Sequence, residues 1–444
     1  MKSNGMLIAF ALLLSYCGVG TAQEYKDFDL STYKLPDIVR HELDFSLKSN
    51  GEFNDESSSG NDKFSINGDF QSAFKRYKNT RSFLGRQQAD LQIGGHYNND
   101  KQTDIKNSSY SVTASYSNSS RFYTSNRLFF ETGGSAEFAF GENKSVDKTD
   151  RTAVVASIPL RVGKGRIEQV EDARQAIYIL ENLAKRGVLN RRLSNDEVYT
   201  FSQVISTVKN KRFFDSRLRM IDEITTVDSF LVKNNLLATA GAPYFTTLYD
   251  YWMYGALFKR GSGTEISGGL TPGVHYERQK AKDAISKRTM PTLLADVLLT
   301  YEKPVNLYWQ HSAFVQLYGQ YGRLIDKDKD NDMRMDDYST GLSGKYAWGF
   351  YPTSRTNLNF GIMESFGWDK LVLRNSSLNN ISYLNNNTSA FVEFYYYFSP
   401  QLRLSMNASL DFHYNRILGD ASAEKKDNFM WNGNYNATLT YSLF

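Results

Sequence analysis

The closing stretch FMWNGNYNATLTYSLF, residues 429–444, alternates with a period of two. Phe429, Trp431, Tyr435, Ala437, Leu439, Tyr441 and Leu443 share one parity, and Asn432, Asn434, Asn436, Thr438, Thr440 and Ser442 share the other. A β-strand sends successive side chains to opposite faces. This strand therefore has an apolar, aromatic-rich face and an uncharged polar face, the pattern of a strand standing between lipid and a wet lumen.

The same dyad recurs upstream. Leu402, Leu404, Met406, Ala408, Leu410, Phe412 and Tyr414 oppose Arg403, Ser405, Asn407, Ser409, Asp411 and His413. Tyr110, Val112, Ala114 and Tyr116 alternate with serines and threonine, and Val154, Ala156, Ile158, Leu160 and Val162 oppose Ser157 and Arg161. In Leu358–Trp368 one charge, Glu364, falls on the apolar parity. About fourteen such strands are expected, six before residue 164 and eight after residue 263, an even number within the range of membrane barrels. Connections agree with that count. The segments 50–62, 99–106, 141–150, 279–290, 323–335, 369–387 and 417–428 are mostly long and polar, whereas Glu302-Lys303-Pro304-Val305, Tyr351-Pro352-Thr353 and Ser399-Pro400 read as tight turns at the other end.

One connection at the short-turn end breaks the period. Over residues 165–262 the spacing becomes helical. Val170, Ala173, Ala176, Ile177, Leu180, Leu183 and Ala184 form one stripe ending at Gly187. Ser194-Asn195-Asp196-Glu197 reads as a capping box, followed by Val198, Phe201, Ile205 and Val208. A third helix carries Leu218, Ile221, Ile224, Val227 and Leu231. Three such helices bury their stripes as a small bundle. The aromatic run after Pro243, with Trp252 and the flanking cations Lys259 and Arg260, reads as an interfacial helix at a membrane surface. The chain thus divides into residues 1–22, a segment 23–164 of six strands, the helical insertion 165–262, and a strand segment 263–444.

Composition bounds the alternatives. Mean hydropathy is −0.49 although aromatics make up 14% of 444 residues, which suits a wall that meets lipid with every second residue and argues against a helical membrane protein. The net charge of +4 is too mild to indicate nucleic acid as a partner. Residues 1–22 read as an export signal: Lys2 supplies charge, Met6–Leu14 an apolar core, and Gly20-Thr21-Ala22 small residues for cleavage. The single cysteine, Cys17, lies inside it behind Tyr16, where a lipid-modified cysteine would follow a small residue, so a mature chain beginning after Ala22 has no thiol.

Three groups of residues are candidates for chemistry. Asp326, Asp328, Asp330 and Asp332 alternate, with Asp337 following, like the first half of a calcium loop; Asn331 stands where such a loop wants glycine, and Lys327 and Lys329 offset the charge, so a solvated outer loop is the competing reading. The polar parity offers lumen-lining Arg161, Lys345, Glu393, Arg403, Asn407, Asp411 and His413, with no dominant sign and hence no assignable ion selectivity. Ser409, Asp411 and His413 lie two residues apart on one strand face, roughly 7 Å, too far for a nucleophile–base hydrogen bond. In the insertion, Lys209, Lys211, Arg212 and Arg217 read either as a contact for anionic headgroups or a periplasmic partner, or as the solvated face of an amphipathic helix.

The signal segment at residues 1–22, the dyad strands and the aromatic end Leu439-Tyr441-Leu443-Phe444 resemble outer-membrane β-barrel proteins of Gram-negative bacteria, and the richness in asparagine and tyrosine is similar to that of the Bacteroidota. Phe444 departs from the pattern by falling one residue off the apolar parity. The resemblance implies an all-β transmembrane antiparallel barrel in the outer membrane, monomeric, with extracellular loops and a periplasmic helical insertion. Three functions are then expected in turn. The first is a channel or translocation pore gated by the insertion or docking a periplasmic protein through it. The second is a closed structural or surface-binding barrel acting through its loops, and the third is a barrel-type hydrolase. No cofactor is expected apart from calcium in an outer loop.

Overall fold

The two-residue period is carried into one antiparallel meander. The computed structural model describes residues 25, 27–54, 63–100, 105–145, 147–211, 216–254, 258–282, 284–328, 332–374, 380–399, 402–419 and 427–441; residues 1–22, expected as an export signal and including Cys17, and Phe444 lie outside them. Before the insertion run β1 (Ile38–Asn54), β2 (Lys63–Asn79), β3 (Phe83–Asp100), β4 (Ile105–Tyr123), β5 (Leu128–Lys144), β6 (Lys148–Ser157), β7 (Leu160–Gly165) and β8 (Glu168–Gln169). After it run β9 (Gly261–Ala281), β10 (Ala284–Pro304), β11 (Trp309–Lys327), β12 (Asp332–Thr353), β13 (Thr356–Leu373), β14 (Ile381–Tyr397), β15 (Leu402–Gly419) and β16 (Asp427–Tyr441).

These sixteen segments fill fourteen wall positions, because β6 and β7 are one strand cut at Pro159. Proline has no N–H for the ladder. Both pieces pair β5 on one side and β9 on the other, and the register runs through the cut in phase, from Ser157↔Gly273 to Leu160↔Leu270. The two-residue β8 continues the same line against β9. An even number of positions leaves β1 and β16 antiparallel, the relation a closed ring requires; among the described residues β1 pairs with β2 and β16 with β15.

The register confirms the face assignment. Leu43, Phe74, Ala89 and Tyr116 are successive partners on one face, as are Val392, Ala408 and Tyr435, and this face is broadly exposed: Leu410 is 52% and Trp431 66% accessible. On β11 and β12 aromatics gather toward both margins, with Trp309, Trp348 and Phe350 toward the short turns and Tyr321 tilted against Tyr338 toward the other end. Glu364 does lie on this face, opposite Gly344 and Thr388 in an unbroken ladder, so neither a bulge nor a wrong face explains it.

The long polar connections are shorter than the sequence suggests. Pairing climbs to Asn54↔Lys63, Asp100↔Ile105 and Lys327↔Asp332, so strands of 15–22 residues absorb much of the expected loops. About 9–11 residues suffice to cross a bilayer, and the surplus stands as ribbons beyond the apolar band.

The insertion contains four helices: α1 (Glu171–Lys185), α2 (Asn195–Asn210), α3 (Ser216–Lys233) and α4 (Ala242–Tyr254). Ser194 and Glu197 form the capping box at α2. The bundle is a duplicated helical hairpin, which the periodicity did not reveal. Gly187 ends α1 and Asn235 ends α3, both at positive φ, each followed by a backbone bond back to a leucine, Val188 N–H to Leu183 O and Leu236 N–H to Leu231 O. The two exits then pair through Leu189 and Leu237. The aromatic run is split between two faces: α4 buries Tyr244, Leu248 and Trp252 in the bundle core, where Trp252 donates its indole N–H to Glu223 at 3.1 Å, and leaves Phe245, Tyr249 and Met253 exposed. Residues 25–35 also belong to this core rather than to the strand segment, since Tyr25, Phe28, Leu30 and Tyr33 are buried against α1 and α2.

Candidate conduit and its helical cap

The polar parity of the wall is its concave face. Arg121 on β4 donates to Glu265 on β9 at 2.7 Å although β5 and β7 run between them. Laid flat, strands about 4.8 Å apart would hold β4 and β9 roughly 14 Å from each other, so this face curls toward itself. Arg161, Lys345, Glu393, Arg403, Asn407, Asp411 and His413 all take this parity in the register. Lys345 places its ammonium 4.4 Å from the Phe391 ring centre.

Near the short-turn end the lining becomes a charge network. Arg121, Glu131, Arg161, Gly269 and Asp296 are successive partners across five strands. Arg121 bonds Glu131 and Glu265, each at 2.7 Å, and Arg161 reaches over β9 to Asp296 at 2.6 Å. Gly269 makes that crossing possible, because a Cβ there would lie 2.4 Å from the Leu160 carbonyl and 2.6 Å from Arg161 Cγ. The carboxylates are nearly fully buried, and each is paired, as burial of charge demands.

Beyond this network the helical domain is fastened to the rim. Arg166 donates to the Thr80 and Arg81 carbonyls and to Asn79 Oδ1 at the β2–β3 turn, at 2.8, 3.1 and 2.5 Å. Arg260 forks onto the β10–β11 turn. It reaches Leu307 O at 2.6 Å, Asn306 O and Trp309 O at 3.0 Å and Gln310 Oε1 at 2.8 Å. That turn is preset by Asn306, whose side-chain oxygen accepts from the Tyr308 and Trp309 N–H groups. Burial, and after it the charge of Arg174, holds the Arg260 guanidinium down to about 10. Arg174, fully buried on α1, stands 4.9 Å from the Tyr351 ring centre, as Arg260 does, and donates to Phe258 O. Tyr178 donates to Tyr351 O at 3.2 Å, and Phe258 meets the ring of Tyr395 on the concave face.

The segment ahead of β1 (residues 27–35, the leader to the wall) closes the fastening. Tyr33 bonds Ser206 Oγ at 2.6 Å and donates to Ser202 O. The single 3-10 turn Leu30–Thr32 packs against β9 and β10, although β1, which follows at Ile38, stands six wall positions from β9. The two stems of the insertion and the bundle between them therefore touch turns on separate arcs of the rim, and the leader runs across the opening between those turns.

The remaining sequence candidates fare differently. Among the described residues the aspartates of the calcium candidate do not converge. Asp326 lies on the concave parity bonded to Arg288 at 2.8 Å, Asp332 pairs with Arg334 on the convex parity, and Asp337 sits opposite Gly322, well down the ladder from the hairpin tip. Asp330 lies outside the described residues, and among these no cluster of three metal-ligating side chains occurs. Lys209 is not offered to a partner: it bonds Asp172 at 2.6 Å and Gln175 at 3.0 Å. Trp252, being buried, is likewise withdrawn from any surface. Lys211 is exposed; Arg212 and the Arg217 side chain lie outside the described residues. In the Ser409, Asp411, His413 column, Ser409 donates to Asp411 at 2.8 Å while His413 Nδ1 pairs with Asn387 Oδ1 at 2.6 Å, so no base addresses the serine. Sequence reasoning missed the contacts of Arg166, Arg174, Arg260 and Tyr33 because the partners of each lie far away in the chain: rim turns for Arg166 and Arg260, Phe258 and Tyr351 for Arg174, and Ser202 and Ser206 of α2 for Tyr33.

No protein-family model and no curated protein sequence matches the chain. The chain is similar to a number of solved structures, three of them as follows. In-vitro folded OmpT, an outer membrane protein of Vibrio cholerae, shows 9% identity over 90% of this chain and 98% of its own, with a TM-score of 0.20. The TodX monoaromatic hydrocarbon channel deltaS2 mutant shows 12% identity over 93% and 92%, with a TM-score of 0.24. The CymD monoaromatic hydrocarbon channel shows 9% identity over 96% and 94%, with a TM-score of 0.14. Superpositions this loose carry no argument about geometry or substrate, and the fold rests on the strand register itself.

Proposed function

We propose that this chain is an outer-membrane channel whose periplasmic mouth is covered by its own helical domain. The carrying observation is the fastening of the helical insertion to separate arcs of the rim, through Arg166 and Arg260 in its two stems and the Tyr178–Tyr351 contact of its bundle, with the leader laid across the opening. A convex apolar face margined by aromatics suits lipid, and a concave face of mixed charges and amides suits water. A domain tied to a mouth by hydrogen bonds to turns is placed to gate it, and a periplasmic protein that competes for those turns would open it. The test is conductance of the purified mature chain in planar bilayers, with and without substitutions at Arg260 and Tyr33. Stepwise current that rises when the fastening is weakened supports the reading, and silence in both forms defeats it. The ribbons that extend past the apolar band favour a second reading, a surface-binding barrel acting through its outer hairpins. That reading predicts a silent wall and a ligand lost when the hairpins are trimmed.

A further inference from the structure

A row of small residues is set into the concave face at the end remote from the cap. Asp69, Gly94, Ser111, Gly141, Arg151 and Gln279 are successive partners across β2 to β6 and β9. Its centre is a glycine, a serine and a glycine, so the wall is hollowed there, and a cavity of about 580 Å³ lies over it. The space at Gly141 is open: a Cβ would find nothing closer than the Tyr110 carbonyl at 3.8 Å. The neighbouring concave row contributes Asn67, His96 and Asn143, and the His96 imidazole Nδ1 is held by Asn67 Oδ1.

The charged groups of this trough are of both signs, and most are already answered. Asp69 and Arg151 stand toward opposite ends, with Glu142 and Asp150 at the margin; Arg151 bonds Glu277 at 2.7 Å, Glu142 bonds Lys148 at 2.9 Å and Lys144 at 3.1 Å, and Asp150 bonds Arg278 at 3.2 Å. Between them are amides, hydroxyls and an imidazole, groups that donate and accept with equal ease. An ion gains from a lining of one sign, which this is not. A neutral solute rich in hydroxyls gains from it, because each hydroxyl donates once and accepts twice, and the volume lies in the ordinary range of small-ligand pockets.

We propose that the trough over Gly94, Ser111 and Gly141 is a binding site for a saccharide, one or two sugar rings in size. The site rests on the channel reading only in that a lumen delivers the sugar to it.

The probe is maltose, added to the full mature chain in lipid nanodiscs and followed by saturation-transfer NMR, with arginine and citrate as charged comparisons. Gly141→Leu fills the floor, and Asn67→Leu with His96→Leu removes polar partners; retained heat-modifiable mobility shows that each variant folds. Loss of about two hydrogen bonds of roughly 1 kcal/mol each corresponds to a weakening of more than about tenfold. Maltose binding by the parent, lost in both variants, is the expected result. No maltose signal in the parent, equal binding by all three proteins, or preference for arginine or citrate would overturn the assignment. Bilayer recordings separate it from the channel reading. Current without maltose binding or maltose-induced interruptions leaves the channel and removes the trough, whereas maltose binding without current leaves the trough and removes the channel.

Discussion

Replacing Arg260 by alanine should release the cap. Arg260 is 2% exposed and donates to three carbonyls and one amide of the β10–β11 turn. Charge-assisted hydrogen bonds contribute about 1.5–3 kcal/mol each, so four sum to about 6–12 kcal/mol gross. Against this stand burial and, after it, the charge of Arg174, which hold the guanidinium down to about 10 from 12.5, a cost on the order of 3 kcal/mol. Hydrogen bonds that share one side chain are not additive, which favours the low end of the difference, about 3–5 kcal/mol, the usual loss when one member of a buried charged group is removed. Even about 3 kcal/mol shifts a closed–open equilibrium more than a hundredfold. Two assays read the shift: limited proteolysis of the helical domain in nanodiscs, and single-channel conductance. Faster cleavage within residues 170–260 and longer open times are expected in Arg260→Ala, with Arg260→Lys intermediate because an ammonium cannot fork across the turn. If the alanine variant resists protease as the parent does and conducts no differently, the rim contacts do not hold the cap and the reasoning fails.

Tyr33→Ala should destabilise the bundle by about 3–5 kcal/mol through loss of a fully buried aromatic, and Tyr33→Phe by about 1 kcal/mol through its hydroxyl bonds; denaturant melts followed by helical circular dichroism check both, and equal melts for the two would contradict the packing of the leader. On the wall, Leu410→Arg should cost roughly 2–4 kcal/mol near the bilayer midplane while Asn407→Arg costs little, and similar folding yields for the two in lipid vesicles would sink the face assignment. The Arg191 hydrogen bond, aided by the Ser194 backbone, lowers Glu197 to about 2 from 4.5. A depressed carboxyl stabilises above its unfolded value and loses that stability as pH falls through the folded one, so the bundle should weaken between about pH 4.5 and 2. The pair is part-exposed, and the loss should be no more than about 1 kcal/mol. Glu197→Gln should flatten that part of the profile, and an unchanged slope would show that other groups govern it.

Periodicity is a local property, and what it decides was readable in residue order. Leu404, Leu410 and Trp431 fall on one face and Arg403, Asn407 and His413 on the other because a strand alternates regardless of its neighbours. The fourteen wall positions followed for the same reason, although the cut at Pro159 divides one of them. Helical spacing and a capping box located the insertion. Contacts between residues remote in sequence were not legible. Trp252 and Lys209 looked like surface groups because a helix shows its stripe without showing what covers it, and only packing revealed Glu223 beside one and Asp172 beside the other. The aspartates from 326 to 337 looked like a ligand set because spacing ignores pleat; the ladder through Lys327↔Asp332 sends Asp326 and Asp332 to opposite faces. Residues 25–35 carry no regular period, so their burial in the bundle came from the fold alone. Local alternation thus determined the wall and its two solvents. Closure of distant segments upon one another decided the Arg121–Glu265 bridge, the Arg260 clamp and the trough over Gly141, because each depends on the curl of the sheet and the path of the chain across its end.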